Sequence, residues 1–128
     1  MLIGARSAAQ VIAGERFNGA QVQVATDDGS AGHHGSVVDL VTEVGGADVF
    51  ACGPTAMLQA LIVRAQQTGV PRASLQVALE TPMGCGIGTC LGCAAPRAGG
   101  GFLLACQDGP CVSADRLDWN LMRDAFHG

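Results

Sequence analysis

Tyrosine is absent from this sequence, and the other aromatics are scarce, with one Trp and four Phe among 128 residues. A core so poor in rings must be built from Val, Leu, Ile and Ala, which suits a close-packed α/β layer better than a β-sandwich. Basic residues are also few: seven, scattered along the chain, against eleven acidic ones, for a formal net charge of −4. No basic stripe can track a phosphate backbone, so nucleic acid is not an expected partner. No apolar run approaches the ~18 residues that a bilayer span requires, so no membrane association is expected. The N-terminus, MLIGARSAAQVIAGERF, has no charged segment ahead of an apolar block and is not a signal peptide. The cytoplasm is therefore the expected compartment, and six cysteines there point to metal ligation rather than disulfides. Two catalytic signatures are missing as well: a G-x-S-x-G nucleophile turn and a G-x-G-x-x-G turn over a pyrophosphate. What remains is 48% hydrophobic and long enough for one domain with a real core and perhaps a small appended module.

The informative stretch is Glu80 to Pro110, ETPMGCGIGTCLGCAAPRAGGGFLLACQDGP. Cys85, Cys90, Cys93 and Cys106 are spaced C-x4-C-x2-C-x12-C, and the first three reproduce plant-type iron–sulfur spacing. Gly84, Gly86, Gly88 and Gly92 fall among the thiols, where a backbone curling round an inorganic core needs positive φ and must aim N–H groups at sulfur. Phe102 to Cys106 is predicted as a strand that carries Cys106 back to the loop, ending in the turn formers Asp108-Gly109. A competing reading is a four-sulfur zinc site from Cys90-x2-Cys93 and Cys106-x4-Cys111, which leaves Cys85 and most of the glycines unexplained. Met83, Ile87 and Leu91 follow neither strand alternation nor a helical stripe. They are expected either to be partly exposed as a docking face round the cluster or to fold inward as its shield.

Ahead of this stretch the chain alternates strand and helix. Leu2–Ala5 reads as a strand, followed by a helix over residues 6–13 capped by Ser7. Gln21 to Thr26 is a second strand, ending in Asp27-Asp28-Gly29-Ser30, and a helix is predicted from Ser36 to Glu43. Asp48 to Cys52 is a third strand. Gly53-Pro54 then opens a helix whose stripe is Met57, Leu58, Leu61, Ile62 and Ala65, with Pro54 at its first position and Gly69 and Pro71 ending it. Ser74 to Leu79 is a fourth strand. The repeat predicts a parallel sheet, with the loops at Gly4 to Ser7, Asp27 to Gly35 and Cys52 to Thr55 and the cluster loop at the strands' carboxyl ends, where ligands gather. Without a glycine-rich first turn, the chain reads as a nucleotide-binding domain entered after its first βα unit, either a fragment or a reduced form. Taken alone, Asp27-Asp28-Gly29 is first a solvated turn, His33-His34 first a loop without a metal, Cys52 first a small buried apolar residue, and Arg6 equally a phosphate ligand or a solvent-facing charge. Trp119 is expected to pack the cluster region onto the sheet.

Four pieces in this order resemble a known family: Thr26-Asp27-Asp28-Gly29-Ser30-x-Gly32-x-x-Gly35, Cys52-Gly53-Pro54-x-x-Met57-Leu58, Glu80-x-x-Met83-x-Cys85-Gly86-x-Gly88-x-Cys90-x-Gly92-Cys93 and Cys106-x-Asp108-Gly109-Pro110. They resemble the C-terminal part of the electron-transfer subunit of class B, NAD-dependent dihydroorotate dehydrogenase, in the ferredoxin-reductase-like superfamily. The resemblance implies a partial parallel-sheet nucleotide-binding module over residues 1–79 and a small 2Fe–2S module over residues 80–128. It implies a relay in which dihydroorotate reduces FMN in a catalytic partner subunit, electrons cross a 2Fe–2S cluster to FAD, and FAD gives a hydride to NAD⁺ in pyrimidine biosynthesis. Cys85, Cys90, Cys93 and Cys106 would be the cluster ligands. Cys52, Gly53 and Pro54 would lie near nicotinamide and flavin, and Arg6, Ser7, Asp27, Asp28 and Gly29 would border the NAD ribose and adenine. The family's flavin-binding barrel has no counterpart in the sequence, so the isolated chain is not expected to be catalytic, and FAD and NAD are cofactors implied for a complete subunit. Cys111 stands where the family pattern has an aliphatic residue. Related subunits serve other NAD(P)H–ferredoxin oxidoreductases, which, with a zinc-stabilised interaction module, are the alternative functions.

Overall fold

The computed structural model describes residues 1–12, 16–42 and 46–125, the side chains as far as residue 122. The fold is mixed α/β. Two compact units are present, Met1–Glu43 and Val44–Gly128.

In the first unit, β1 (Leu2–Ala5), β2 (Gln23–Thr26) and β3 (His33–His34) form a parallel three-stranded sheet in that order. Ile3, Ala25, Thr26 and Val38 are buried in it. Both predicted helices are replaced by single 3-10 turns. Ala8–Gln10 is followed by extended Val11, Ser7 makes no side-chain cap, and the Ala8 N–H is taken instead by Ser30 Oγ at 2.7 Å. The rest of that expected helix falls partly outside the described residues. Val37–Leu40 is capped by Ser36 in a capping box with Asp39, but Val41 is already extended. Three β-branched valines in five positions weaken any longer helix there, and Glu43 lies outside the described residues.

The second unit follows the sequence more closely. β4 (Val49–Cys52) and β5 (Leu75–Ala78) pair in parallel, joined by α1 (Thr55–Gln67). Pro54 is the cap rather than the first helical residue. Leu58, Leu61, Ile62 and Ala65 form the buried stripe, and Met57 is half-buried. The helix stops as predicted: Gly69 has φ +74°, and the Val70 N–H reaches back to the Ala65 carbonyl at 2.8 Å. Leu75 and Val77 on β5 are wholly buried, each worth about 1.5–3 kcal/mol of apolar burial. The four predicted strands thus lie in two sheets rather than the single one expected, and β5 gains an antiparallel neighbour, β8 (Cys111–Ser113), which the sequence did not announce.

Between β5 and β8 runs the cysteine-bearing stretch. A hairpin of β6 (Ala94–Pro96) and β7 (Phe102–Leu104) is closed by Gly99, Gly100 and Gly101, all at positive φ. The strand predicted to reach Cys106 ends at Leu104. Asp108 Oδ2 accepts the Leu104 N–H at 2.8 Å and the Ala105 N–H turns to the Cys93 carbonyl at 3.1 Å, so the chain winds into a helical turn, α2 (Ala105–Asp108), that carries Cys106. Trp119 opens α3 (Trp119–Ala125), which packs on β6 and α1. Its indole Nε1 donates to the Ala114 carbonyl at 2.7 Å, and its own carbonyl accepts from Gln59 Nε2 at 3.2 Å. Trp119 thus ties the turn after β8 to α1, while α3 packs on the hairpin. Among the described residues no helix is long and apolar enough to cross a membrane.

Candidate metal centre

The four cysteines singled out by spacing fall into two pairs. Cys93, buried, and Cys106, half-buried, bring their sulfurs to 3.3 Å, with Cys93 Sγ donating. The pairing follows from the turn described above: the Ala105–Cys93 backbone bond sets α2 directly over the end of the loop. Cys85 and exposed Cys90 form the other pair, with the Cys90 thiol hydrogen-bonded to Cys85.

Electrostatics differ between the pairs. The Cys85 thiol is lowered to about 5, first by the Cys90 backbone N–H, then by the Ile87 N–H, the Thr89 hydroxyl and the Cys90 thiol. Several donors converge on one sulfur, as a ligand that must act as thiolate requires. Cys106 is raised, first by its bond with the Cys93 thiol and then by burial, with the Gly88 N–H acting against both. Of the loop's glycines, Gly86 serves by its backbone conformation rather than by making space, and a side chain at Gly92 would make only ordinary contact. Gly86 has φ +68° with nothing within 4 Å of where a Cβ would stand, and at Gly92 a Cβ would lie 3.5 Å from Cys90 Sγ.

All donors here are thiols, and among the described residues no three His, Cys, Asp or Glu side chains converge where one ion could sit. Two thiol pairs fit a two-iron cluster, in which each iron takes two protein sulfurs, better than a single tetrahedral ion that needs four. Cys111 lies apart on β8. With Cys52 it lines a shallow apolar depression of about 220 Å³ over Phe50, Ala51, Gln76, Val77 and Ala78. Cys52 is exposed there, not buried as its bland reading required. Cys52-Gly53-Pro54 ends β4 beside the point where the cluster loop leaves β5, since Cys52 pairs with Ala78.

In the first unit the Arg6-Ser7 and Asp27–Ser30 loops meet. The Asp27 and Asp28 N–H groups donate to the Ala5 and Arg6 carbonyls at 3.0 and 3.2 Å. Buried Thr26 closes the second loop by exchanging hydrogen bonds with Ala31. The Ser30 hydroxyl and N–H hold the Asp28 carboxyl below the usual carboxylate range. His33 stands 3.7 Å from Asp39, in an exposed pair.

Met83, Ile87 and Leu91 all point outward, at 45%, 67% and 62% exposure. Leu91 is the one non-glycine with positive φ (58°) among the described residues. Sequence reasoning missed Gln107, whose Nε2 donates to the Ile87 carbonyl at 3.1 Å; Gly88 was the available signal, since a side chain there would collide with it.

Known proteins resemble this chain over most of its length. Residues 80–118 match the family described as the iron–sulfur cluster binding domain of dihydroorotate dehydrogenase B. The electron transfer subunit of dihydroorotate dehydrogenase B (NAD(+)) from Caldanaerobacter subterraneus subsp. tengcongensis is 41% identical over 109 residues, covering 80% of this chain and 43% of that protein. The corresponding subunit of Bacillus caldolyticus is 35% identical over 122 residues, covering 91% of this chain and 45% of its own length. Among solved structures, an NADH-dependent reduced ferredoxin–NADP oxidoreductase, studied for flavin-based electron bifurcation, superimposes with a TM-score of 0.72 at 28% identity, over 97% of this chain and 45% of that one. The chain thus spans less than half the length of the curated relatives it matches. Residues 80–118 belong to the iron–sulfur cluster-binding domain family of dihydroorotate dehydrogenase B, and the chain corresponds to the C-terminal portion of the electron-transfer subunits that carry it.

Proposed function

We propose that this chain is the cluster-bearing portion of an electron-transfer subunit, holding a 2Fe–2S cluster on Cys85, Cys90, Cys93 and Cys106. It would serve between the FMN of a dihydroorotate-oxidising partner and an FAD/NAD site. The observation that carries the reading is the arrangement of four thiols as two pairs, the number of protein sulfurs that two irons would need. Bound there, the cluster supplies single-electron transfer, which splits two-electron flavin chemistry into separate steps. The protein's part is to present thiolates and to aim the Ile87, Cys90 and Gly88 N–H groups at sulfur. Residues 80–128 form the cluster module in this reading, and residues 1–79 the nucleotide-binding remainder.

The partner-facing surface is the cluster loop itself. Ile87 and Leu91 expose apolar side chains beside the ligands, and Leu91 keeps a bulky side chain in a backbone region that costs it about 1–2 kcal/mol. A strained, exposed apolar residue beside a redox site supports a contact role.

On the nucleotide side, Arg6, Ser7, Asp27, Asp28 and Gly29 would border ribose and adenine, and Cys52, Gly53 and Pro54 the nicotinamide and flavin. No G-x-G-x-x-G turn is available to hold a pyrophosphate. Calorimetry of the isolated chain should accordingly give NADH affinity no tighter than high-micromolar, about 5–6 kcal/mol, and no FAD binding.

A second reading, service in another NAD(P)H–ferredoxin oxidoreductase, is favoured by the likeness to the ferredoxin–NADP enzyme over nearly the whole chain. Anaerobic stopped-flow separates the two. The cluster-loaded chain should be reduced by a dihydroorotate-charged FMN subunit faster than by reduced ferredoxin, and the reverse order would favour the second reading.

A further inference from the structure

Cys85, Cys90, Cys93 and Cys106 account for ligation, but not for what keeps the loop of Cys85 and Cys90 against the turn that bears Cys106. A single side chain spans that gap. Gln107 follows Cys106 on α2, and its Nε2 donates to the Ile87 carbonyl across twenty residues of sequence, at 3.1 Å. The peptide that it grips joins Ile87 to Gly88, and the N–H of that same peptide is the group that opposes the rise of the Cys106 thiol. In a trans peptide the C=O and N–H point in opposite directions, so fixing one fixes the other. Gly88 is what admits the contact: at φ +79°, a Cβ would lie 2.5 Å from both Cδ and Nε2 of Gln107. The base of the turn is fixed independently, by Asp108 on the Leu104 N–H at 2.8 Å and by an Arg116–Asp108 ion pair at 3.7 Å. The Gln107 amide is therefore free to act on the loop alone.

We propose that Gln107 is a positioning residue for the metal centre: by holding the Ile87 carbonyl it keeps the Gly88 N–H aimed at Cys106 sulfur and so sets the reduction potential of the site. The inference rests on the proposed cluster. A hydrogen bond to a ligating thiolate withdraws charge and favours the reduced, more negative state, so losing its orientation lowers the potential.

The test uses the full chain with its cluster reconstituted. Gln107→Met keeps length and neutrality but cannot donate. It should retain iron and sulfide while its midpoint potential becomes more negative. Gly88→Ala should shift the potential the same way by displacing the amide, and the double variant should add little to either single change. Ile62→Ala, which removes a buried side chain from α1, should lower thermal stability and leave the potential in place. In the metal-free chain, exchange of the Gly88 amide should rise about threefold in Gln107→Met, as for loss of one modest hydrogen bond. An unchanged potential and an unchanged Gly88 exchange rate in Gln107→Met would overturn the proposal. A parental chain that takes up no iron and sulfide would instead contradict the proposed cluster, while the exchange measurement still decides whether the clasp exists.

Discussion

Replacing Cys85, Cys90, Cys93 or Cys106 by Ser, one at a time, should strip most of the iron and acid-labile sulfide from anaerobically purified chain, whereas Cys52→Ser and Cys111→Ser should leave both at the parental level. A serine hydroxyl is a harder and far less acidic ligand than a thiolate, so each substitution leaves one iron with an unmatched site. The four positions should not fail identically. Cys93 is buried and its sulfur lies 3.3 Å from that of Cys106, so these two changes remove ligands from the pair seated on the protein's interior. Cys85 and Cys90 sit on the open loop, where solvent can replace a lost ligand, and a residual, oxygen-sensitive cluster is expected there. Cys52 and Cys111 line the separate depression on the β4–β5–β8 sheet and should be dispensable. Iron loss from Cys111→Ser with retention in Cys85→Ser would overturn the assignment and put Cys111 among the ligands in place of Cys85.

The second large effect concerns association. Ile87→Asp with Leu91→Asp should weaken binding to the dihydroorotate-oxidising subunit by a hundredfold or more, with iron content unchanged. Two apolar side chains, each worth about 1.5–3 kcal/mol when buried, would be lost from the contact, and two carboxylates would need desolvating in their place. Folding should tolerate the change. Both residues are more than half exposed, and Asp enters the left-handed region that Leu91 occupies more readily than Leu does. Sedimentation or surface-binding measurements on the purified pair would read the effect. Parental affinity and parental electron acceptance in the doubly charged variant would place the docking face elsewhere.

How much of this was legible beforehand depended on whether information was local. The C-x4-C-x2-C run is contiguous, and its glycines carry the same message, so the candidate ligands could be read from spacing alone. The α1 stripe and its stop at Gly69 were equally plain, because 3.6-residue periodicity and a left-handed glycine are local signals. The helix expected after Ser7 was not, since Ser30, more than twenty residues on, competes for the Ala8 N–H. The path to Cys106 was misread as strand because what ends β7 is the Asp108 carboxylate reaching back over a turn. β8 is only three residues long and acquires its identity from pairing with β5, which no local pattern encodes. Met83, Ile87 and Leu91, the proposed docking residues, lay between: their lack of periodicity marked them as unusual, and only the fold showed that they point outward.

The central claim is the chemical nature of the centre, and metal analysis combined with electron paramagnetic resonance on anaerobically purified chain tests it directly. Two irons and two acid-labile sulfides per chain are expected, silent when oxidised and giving a single S = 1/2 signal after uptake of one electron. One zinc per chain, no sulfide, and no signal on reduction would contradict the account.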